Sequence, residues 1–305
     1  MYDLYNRSFR SFLQPSIPLT NNEDITPFFI VGSGRSGNTL LRRILNTHDG
    51  IVIPPETYVL GEIFRLHNLH KSVKWEQYVN IILSTFEYHD QFFTFEIESL
   101  RELALELKQF KPSERSLALI LDKFYHFYAE IKGEELERWG DKTPINAAYV
   151  YRLKKSFSNA QFIHIVRDGV DVAYSYVNAN LYEDYETAAL RWKKSVNFLK
   201  KFGKKFPESY LEVTYEQLVR APENTTKEVC TFLDIAFRQE MISSDKEASK
   251  LGDVRYLDHH NNVFNKINTD SIGKGRSKVP VEVLSNLKKR LNPLLEQLEY
   301  KRISV

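Results

Sequence analysis

Cysteine is almost absent: Cys230 is the only one in 305 residues. That excludes a disulfide framework within the chain and fits a reducing compartment. Long apolar runs are missing too, none approaching the roughly 18 residues of a membrane-spanning helix. Met1 to Asn22 holds no signal-type apolar stretch, being broken by Asp3, Arg7, Arg10, Pro15 and Pro18, so a soluble cytoplasmic protein is expected. Neither sign of charge is in surplus. Lys and Arg number 42 against 40 Asp and Glu, so overall charge predicts no nucleic-acid or membrane partner, and any basic site must be local. Internal repeats and low-complexity segments are also lacking.

What the chain does have is a strand, a glycine-rich turn and a helix in immediate succession. Phe28-Phe29-Ile30-Val31 reads as a short buried strand. Gly32, Gly34 and Gly37 follow, and then Leu40, Leu41, Ile44 and Leu45, which share one helix face. Such a turn gathers backbone N–H groups at the positive end of a helix dipole and forms an anion cradle. Gly32 and Gly37 have the spacing of a Walker A loop, with Thr39 at its hydroxyl position. Asn38 stands where that loop carries lysine, which argues against ordinary ATP or GTP chemistry. Arg35 supplies a positive charge within the turn instead.

The length suits one large α/β domain spanning 1–305. An N-terminal arm is expected over 1–26, followed by the loop unit and a second strand at Ile51-Val52-Ile53, closed by Pro54-Pro55. Residues 57–137 carry helical patterning and read as a helical insertion. Its aromatics Phe86, Tyr88, Phe92, Phe93 and Phe95 are core formers or the lining of an acceptor pocket. Strand-then-turn character returns at Arg138 to Pro144, with Pro144 suited to a helix start. Ala160 to Val166 reads as a buried strand, Val170 to Val177 as a helix, and two long amphipathic helices then precede a strand near Tyr210 to Val213. The last third is helical apart from the loop Ser271 to Arg276. Strands alternating with helices predict a parallel sheet with helices on both faces. Ligands bind such sheets at the strands' carboxyl ends, which places the loop, Glu56, the turn at 140–143 and Arg167 on one rim.

These motifs resemble the sulfotransferases that use 3′-phosphoadenosine 5′-phosphosulfate (PAPS). The Arg-Ser-Gly turn is closer to the tyrosylprotein and bacterial branch than to the cytosolic small-molecule branch. The similarity covers roughly 27–60 and 138–276. It implies a P-loop-like fold in which Gly34, Arg35, Ser36, Gly37, Asn38 and Thr39 hold the 5′-phosphosulfate. Arg167 and Ser175 would grip the 3′-phosphate, Tyr215 would lie near the adenosine, and the loop from Ser271 to Arg276 would close over the donor. Glu56, in Pro-Glu-Thr, matches the family's catalytic base, and Lys142 a lysine that supports the transferred group. Tyr58 stands where an arginine is common.

The resemblance implies sulfuryl transfer to a hydroxyl or amine acceptor, with 3′,5′-ADP as product and no metal required. The acceptor must lose a proton, the bridging oxygen's charge must be stabilised, and the two substrates must be held in line. Glu56 suits the first task, Arg35 and Lys142 the second. The acceptor's class (carbohydrate, lipid, peptide or small molecule) stays open. Two other readings compete: a P-loop-type small-molecule kinase, and a silent 3′,5′-ADP-binding module that recruits a partner through its helical insertion. Residue by residue, Arg167 could instead pair with Asp168 or Asp171, and Glu56 could serve as a first-turn helix carboxylate. His67 and His70 could share a helix face but lack further ligands, His259-His260 reads as loop, and the lysines from 193 to 205 read as a solvated helix face.

Overall fold

The structure, a computed structural model, describes residues 15–243 and 266–304. His259-His260 and residues 1–14 of the arm lie outside the described residues. Five strands form the sheet: β1 (Phe28–Val31), β2 (Gly50–Val52), β3 (Leu136–Asp141), β4 (Gln161–Val166) and β5 (Tyr210–Thr214). Their spatial order is β2-β3-β1-β4-β5, and every neighbouring pair is parallel. β1 therefore lies at the centre, with the exits of β3 and β4 on either side of its own.

A central parallel strand is covered on both faces, so it reads as an unbroken apolar run. All four β1 residues are buried. Phe28 and Ile30 pack on one side with Leu41, Ile44 and Leu45 of α1 (Asn38–Leu45). Phe29 and Val31 face the other side, where Phe29 stacks on Phe162 of β4 at 5.3 Å between ring centroids. Arg42, on α1, is buried and donates from Nε to the Ile53 carbonyl at 3.1 Å, tying the exit of β2 to the helix after the glycine turn. Ile53 itself leaves the ladder, its N–H turning to Asn46 Oδ1 at 2.7 Å.

Between β2 and β3 lie α2 (Leu60–His70), α3 (Trp75–Glu87), α4 (Arg101–Lys108) and α5 (Leu117–Lys132). Phe86, Phe92 and Phe95 are buried among these helices, Phe86 stacking on Phe124 at 4.0 Å. They belong to the core. Tyr88 and Phe93 are exposed. The arm's described part runs along this layer, with Pro18 and Leu19 carbonyls accepting from Leu117 and Ala118 at the start of α5.

Pro144 opens a 3₁₀ turn, Pro144–Tyr149, and only then does α6 (Val150–Ser156) begin. After β4 come α7 (Gly169–Asn178) and α8 (Tyr185–Lys205). A single 21-residue helix thus fills the span where two long ones were expected. Asp184 caps it by accepting the Thr187 N–H at 2.7 Å, and no later residue breaks it: its Gly203 lies against Tyr210 of β5, where a side chain would collide. The chain continues through α9 (Tyr215–Arg220), α10 (Pro222–Leu233), α11 (Glu240–Ser243), α12 (Lys274–Lys278) and α13 (Val281–Gln297). α7, α8 and α13 share a core around Trp192 and Leu287.

His67 of α2 is buried and hydrogen-bonded to the Tyr78 hydroxyl at 2.7 Å. Burial, with Lys71, Arg152 and Lys155 nearby, pushes it down to about 4 from an ordinary 6.5. Between those values the unfolded chain binds a proton that the native state refuses, so stability falls as pH drops through this window. His67→Gln is expected to flatten that part of the melting-temperature profile relative to wild type. Parallel profiles for the two proteins would contradict the assignment.

Candidate active site

Each of the five strands ends on one rim, and each exit delivers a polar group. β1 leads into the glycine turn, β2 into Glu56, β3 into Lys142, β4 into Arg167 and β5 into Tyr215.

The turn is held from inside. Arg35 sits at φ +67° and Gly37 at φ +101°, a left-handed pair that curls the main chain ahead of α1. A Cβ on Gly37 would lie 2.6 Å from the Tyr215 ring. The Asn38 amide donates to the Ser33 carbonyl at 2.9 Å, so this side chain staples the turn, and Asn38 can meet a ligand through its backbone N–H. Thr39, half-buried, lies in the same first helical turn, whose N–H groups have no intrahelical acceptor.

Arg35 Nε donates to Ser175 Oγ on α7 at 3.1 Å. Arg167 donates from Nη1 to the Arg35 carbonyl at 3.1 Å and from Nη2 to the Ser271 carbonyl at 2.6 Å. Its guanidinium lies over the Tyr215 ring, 4.5 Å from the centroid. Of the two alternative pairings, that with Asp168 is not seen among the described residues, and Asp171 Oδ2 lies 4.0 Å from Arg167 Nη2. Burial, and then the charge of Arg167, push the Arg35 guanidinium below its usual range, with Tyr176 and Glu56 acting the other way. Two crowded guanidiniums at a glycine turn make a strongly anion-seeking cleft. Ser36 Oγ and Arg167 Nε are buried with no partner among the described residues, the state in which a bound anion would satisfy both.

The opposite half of the rim holds Glu56 and Lys142, both buried, with Lys142 Nζ donating to Glu56 Oε1. Their placement depends on Asp141, a residue without an assigned role in the sequence reading. Asp141 is fully enclosed and accepts from Thr57 Oγ1 at 3.0 Å, Tyr125 OH at 2.8 Å and Asn146 Nδ2 at 2.7 Å. Burial pushes its carboxyl up, against the hydrogen bonds that favour the ionised form. Thr57 also donates its N–H to Thr143 Oγ1 at 3.0 Å. The segment after β2 is thereby pinned to the turn after β3, one residue from Glu56 on one side and one from Lys142 on the other. Tyr58 follows at φ +54°, with the Val59 N–H closing onto the Thr57 carbonyl at 2.6 Å. This tight turn stacks the Tyr58 ring on His89, with 5.6 Å between centroids.

The structure thus brings Arg35, Ser175, Arg167, Ser271 and Tyr215 together. Arg276 is engaged elsewhere: Nε and Nη2 donate to Asp168 Oδ2 at 2.9 and 2.7 Å. Gly275 packs on the Val170 carbonyl, where any Cβ would collide, and the Gly273 and Gly275 N–H groups donate to Asp171 at 2.7 Å each. The late loop is docked on the start of α7 by these contacts.

A profile described as the sulfotransferase family matches residues 27–239. The chain belongs to that family. Protein-tyrosine sulfotransferase 1 of Danio rerio is 23% identical over 294 residues, covering 93% of this chain and 75% of that protein. A sulfotransferase domain from the curacin biosynthetic pathway superposes with a TM-score of 0.62 at 22% identity, covering 92% of this chain and all of that one. A mouse sulfotransferase crystallised with PAP gives 0.50 at 16% identity, over 89% and 85% of the two chains. The family's parallel sheet with flanking helices is the fold seen here.

Asp141→Ala would strand the Tyr125 hydroxyl and the Asn146 amide, each costing about 1–3 kcal/mol when unpartnered, and would leave Thr57 Oγ1 only Thr143 Oγ1 at 3.3 Å. Denaturant unfolding is expected to show a loss of roughly 3 kcal/mol or more. A loss below about 1 kcal/mol would mean that the network does not hold the rim together.

Proposed function

We propose that the chain transfers the sulfuryl group of PAPS to a hydroxyl acceptor, with Glu56 as general base. Membership of the sulfotransferase family supports the reaction class. The observation that carries the site assignment is the convergence of Arg35, Arg167, Lys142 and Glu56 on one rim.

The donor, when bound, supplies an activated sulfuryl group whose bond to the 5′-phosphate breaks as 3′,5′-ADP leaves. The backbone N–H groups of the turn, with Ser36 Oγ and Arg35, hold its 5′ end. Arg167 Nε and Ser175 hold the 3′-phosphate, and Tyr215 offers a ring face toward the nucleoside. This division gives partners to Ser36 Oγ and Arg167 Nε, both buried without one among the described residues. Lys142, whose Nζ holds the Glu56 carboxylate, also supplies positive charge for the bridging oxygen as its charge develops. Glu56 accepts the hydroxyl proton as the acceptor oxygen bonds to sulfur. Asp141 keeps the two in place without touching either substrate. The missing Walker lysine, replaced by an asparagine that faces inward, weighs against the kinase reading.

Transfer of radiolabelled sulfate from PAPS to a panel of hydroxyl acceptors tests the reading, and wild-type protein is expected to turn over. Binding of 3′,5′-ADP with no transfer to any acceptor would favour the silent module instead. Glu56→Gln is expected to lower turnover by about 10²–10⁴-fold with nucleotide affinity unchanged; undiminished turnover would remove Glu56 from the base role. Arg167→Ala is expected to weaken 3′,5′-ADP binding by about 1.5–3 kcal/mol. Equal calorimetric affinities of wild type and variant would remove Arg167 from the site.

A further inference from the structure

Behind Arg167 and Tyr215 lies a closed ring of polar contacts that the transfer step does not use. Glu216, next to Tyr215, is 8% exposed. Its Oε1 accepts the Asp168 N–H at 3.1 Å and its Oε2 accepts the Tyr300 hydroxyl at 2.7 Å. Asp168, next to Arg167, accepts the Val170 N–H at 2.8 Å on Oδ1 and the Arg276 fork on Oδ2. Arg276 goes on to donate to the carbonyls of Lys301, at 2.5 Å, and Arg302, at 3.3 Å. The segment after α13 is itself anchored, since Asn292 pairs with both main-chain groups of Ile303 at 2.8 and 3.2 Å.

We infer that Glu216 and Tyr300 are positioning residues for the 3′-phosphate end of the donor site. Residues 300–303 act as a strap that fixes the main chain from which Arg167 and Tyr215 project. The inference rests on the reading of Arg167 and Ser175 as the 3′-phosphate grip.

An apolar contact at this place would set only a separation. A carboxylate that accepts one N–H from the β4 exit and one O–H from the strap fixes the angle between them as well. The exits of β4 and β5 are adjacent in the sheet, so a small rotation of either would pull the guanidinium off the Tyr215 face. Arg276 has its place in the same ring: it neutralises Asp168 and ties the loop from Ser271, whose carbonyl holds Arg167 Nη2, to the strap. Two charge-assisted donors converging on one carboxylate oxygen suit that task.

The affinities of the full chain for 3′,5′-ADP and 5′-ADP, measured by calorimetry, separate positioning from simple stabilisation. Wild type is expected to prefer 3′,5′-ADP by about tenfold or more. Tyr300→Phe, which removes one oxygen, and Glu216→Gln are each expected to cut that preference by about fivefold. The loss should fall on 3′,5′-ADP, with 5′-ADP binding within about twofold of wild type. Equal weakening of both nucleotides, or no change in either, overturns the inference while leaving the donor assignment standing. A wild-type protein that does not distinguish the two nucleotides overturns the donor assignment itself, and the inference with it.

Discussion

The arrangement turns on one guanidinium held next to another. Arg167 leaves β4 and reaches the main chain of the glycine turn, so its charge bears directly on Arg35. Like charges this close are unfavourable without compensation. Two carbonyl acceptors, an aromatic face and the Asp171 carboxylate at 4.0 Å supply part of it. The two guanidiniums form a local basic pair in a chain whose total charge is nearly balanced. Parallel pairing of β1 and β4 makes the meeting possible, since both strands end on the same rim.

Two carboxylates on that rim have separate tasks. Asp141 faces inward, takes three side-chain donors and fixes the framework. Glu56 meets Lys142, and in the proposed mechanism it takes the acceptor's proton. Had a single residue been asked to do both, moving the proton would have loosened the framework that positions it. Asp168 and Asp171 show the same division at the other end: one braces the strap through Arg276, and the other caps the late loop.

The centre of the sheet was legible because β1 and β4 are short apolar runs with sharp ends. Phe28 to Val31 and Gln161 to Val166 could be read almost to the residue, since central parallel strands need no polar face. The rim followed from topology alone, because each polar motif directly trails a strand. Less legible were contacts between residues far apart in the chain. Thr57 and Asp141 are 84 residues apart, as are Glu216 and Tyr300, and no local pattern announces either pair. Arg276 and Asn38 show the complementary difficulty: both sit in the expected segments, yet each side chain is turned toward the protein. The aromatics of the helical layer were ambiguous for another reason, since core and pocket use the same side chains.

The proposed donor site makes a demand that an ordinary nucleotide site does not: a phosphate on the 3′ side of the ribose and no divalent cation. Thermal unfolding with 3′,5′-ADP or ATP, each with and without Mg²⁺, measures this directly, because a ligand that binds only the native state stabilises it. Such a site predicts that 3′,5′-ADP raises the melting temperature equally with and without Mg²⁺, while ATP gives little shift in either case. Stabilisation by Mg²⁺ with ATP and none by 3′,5′-ADP would contradict it.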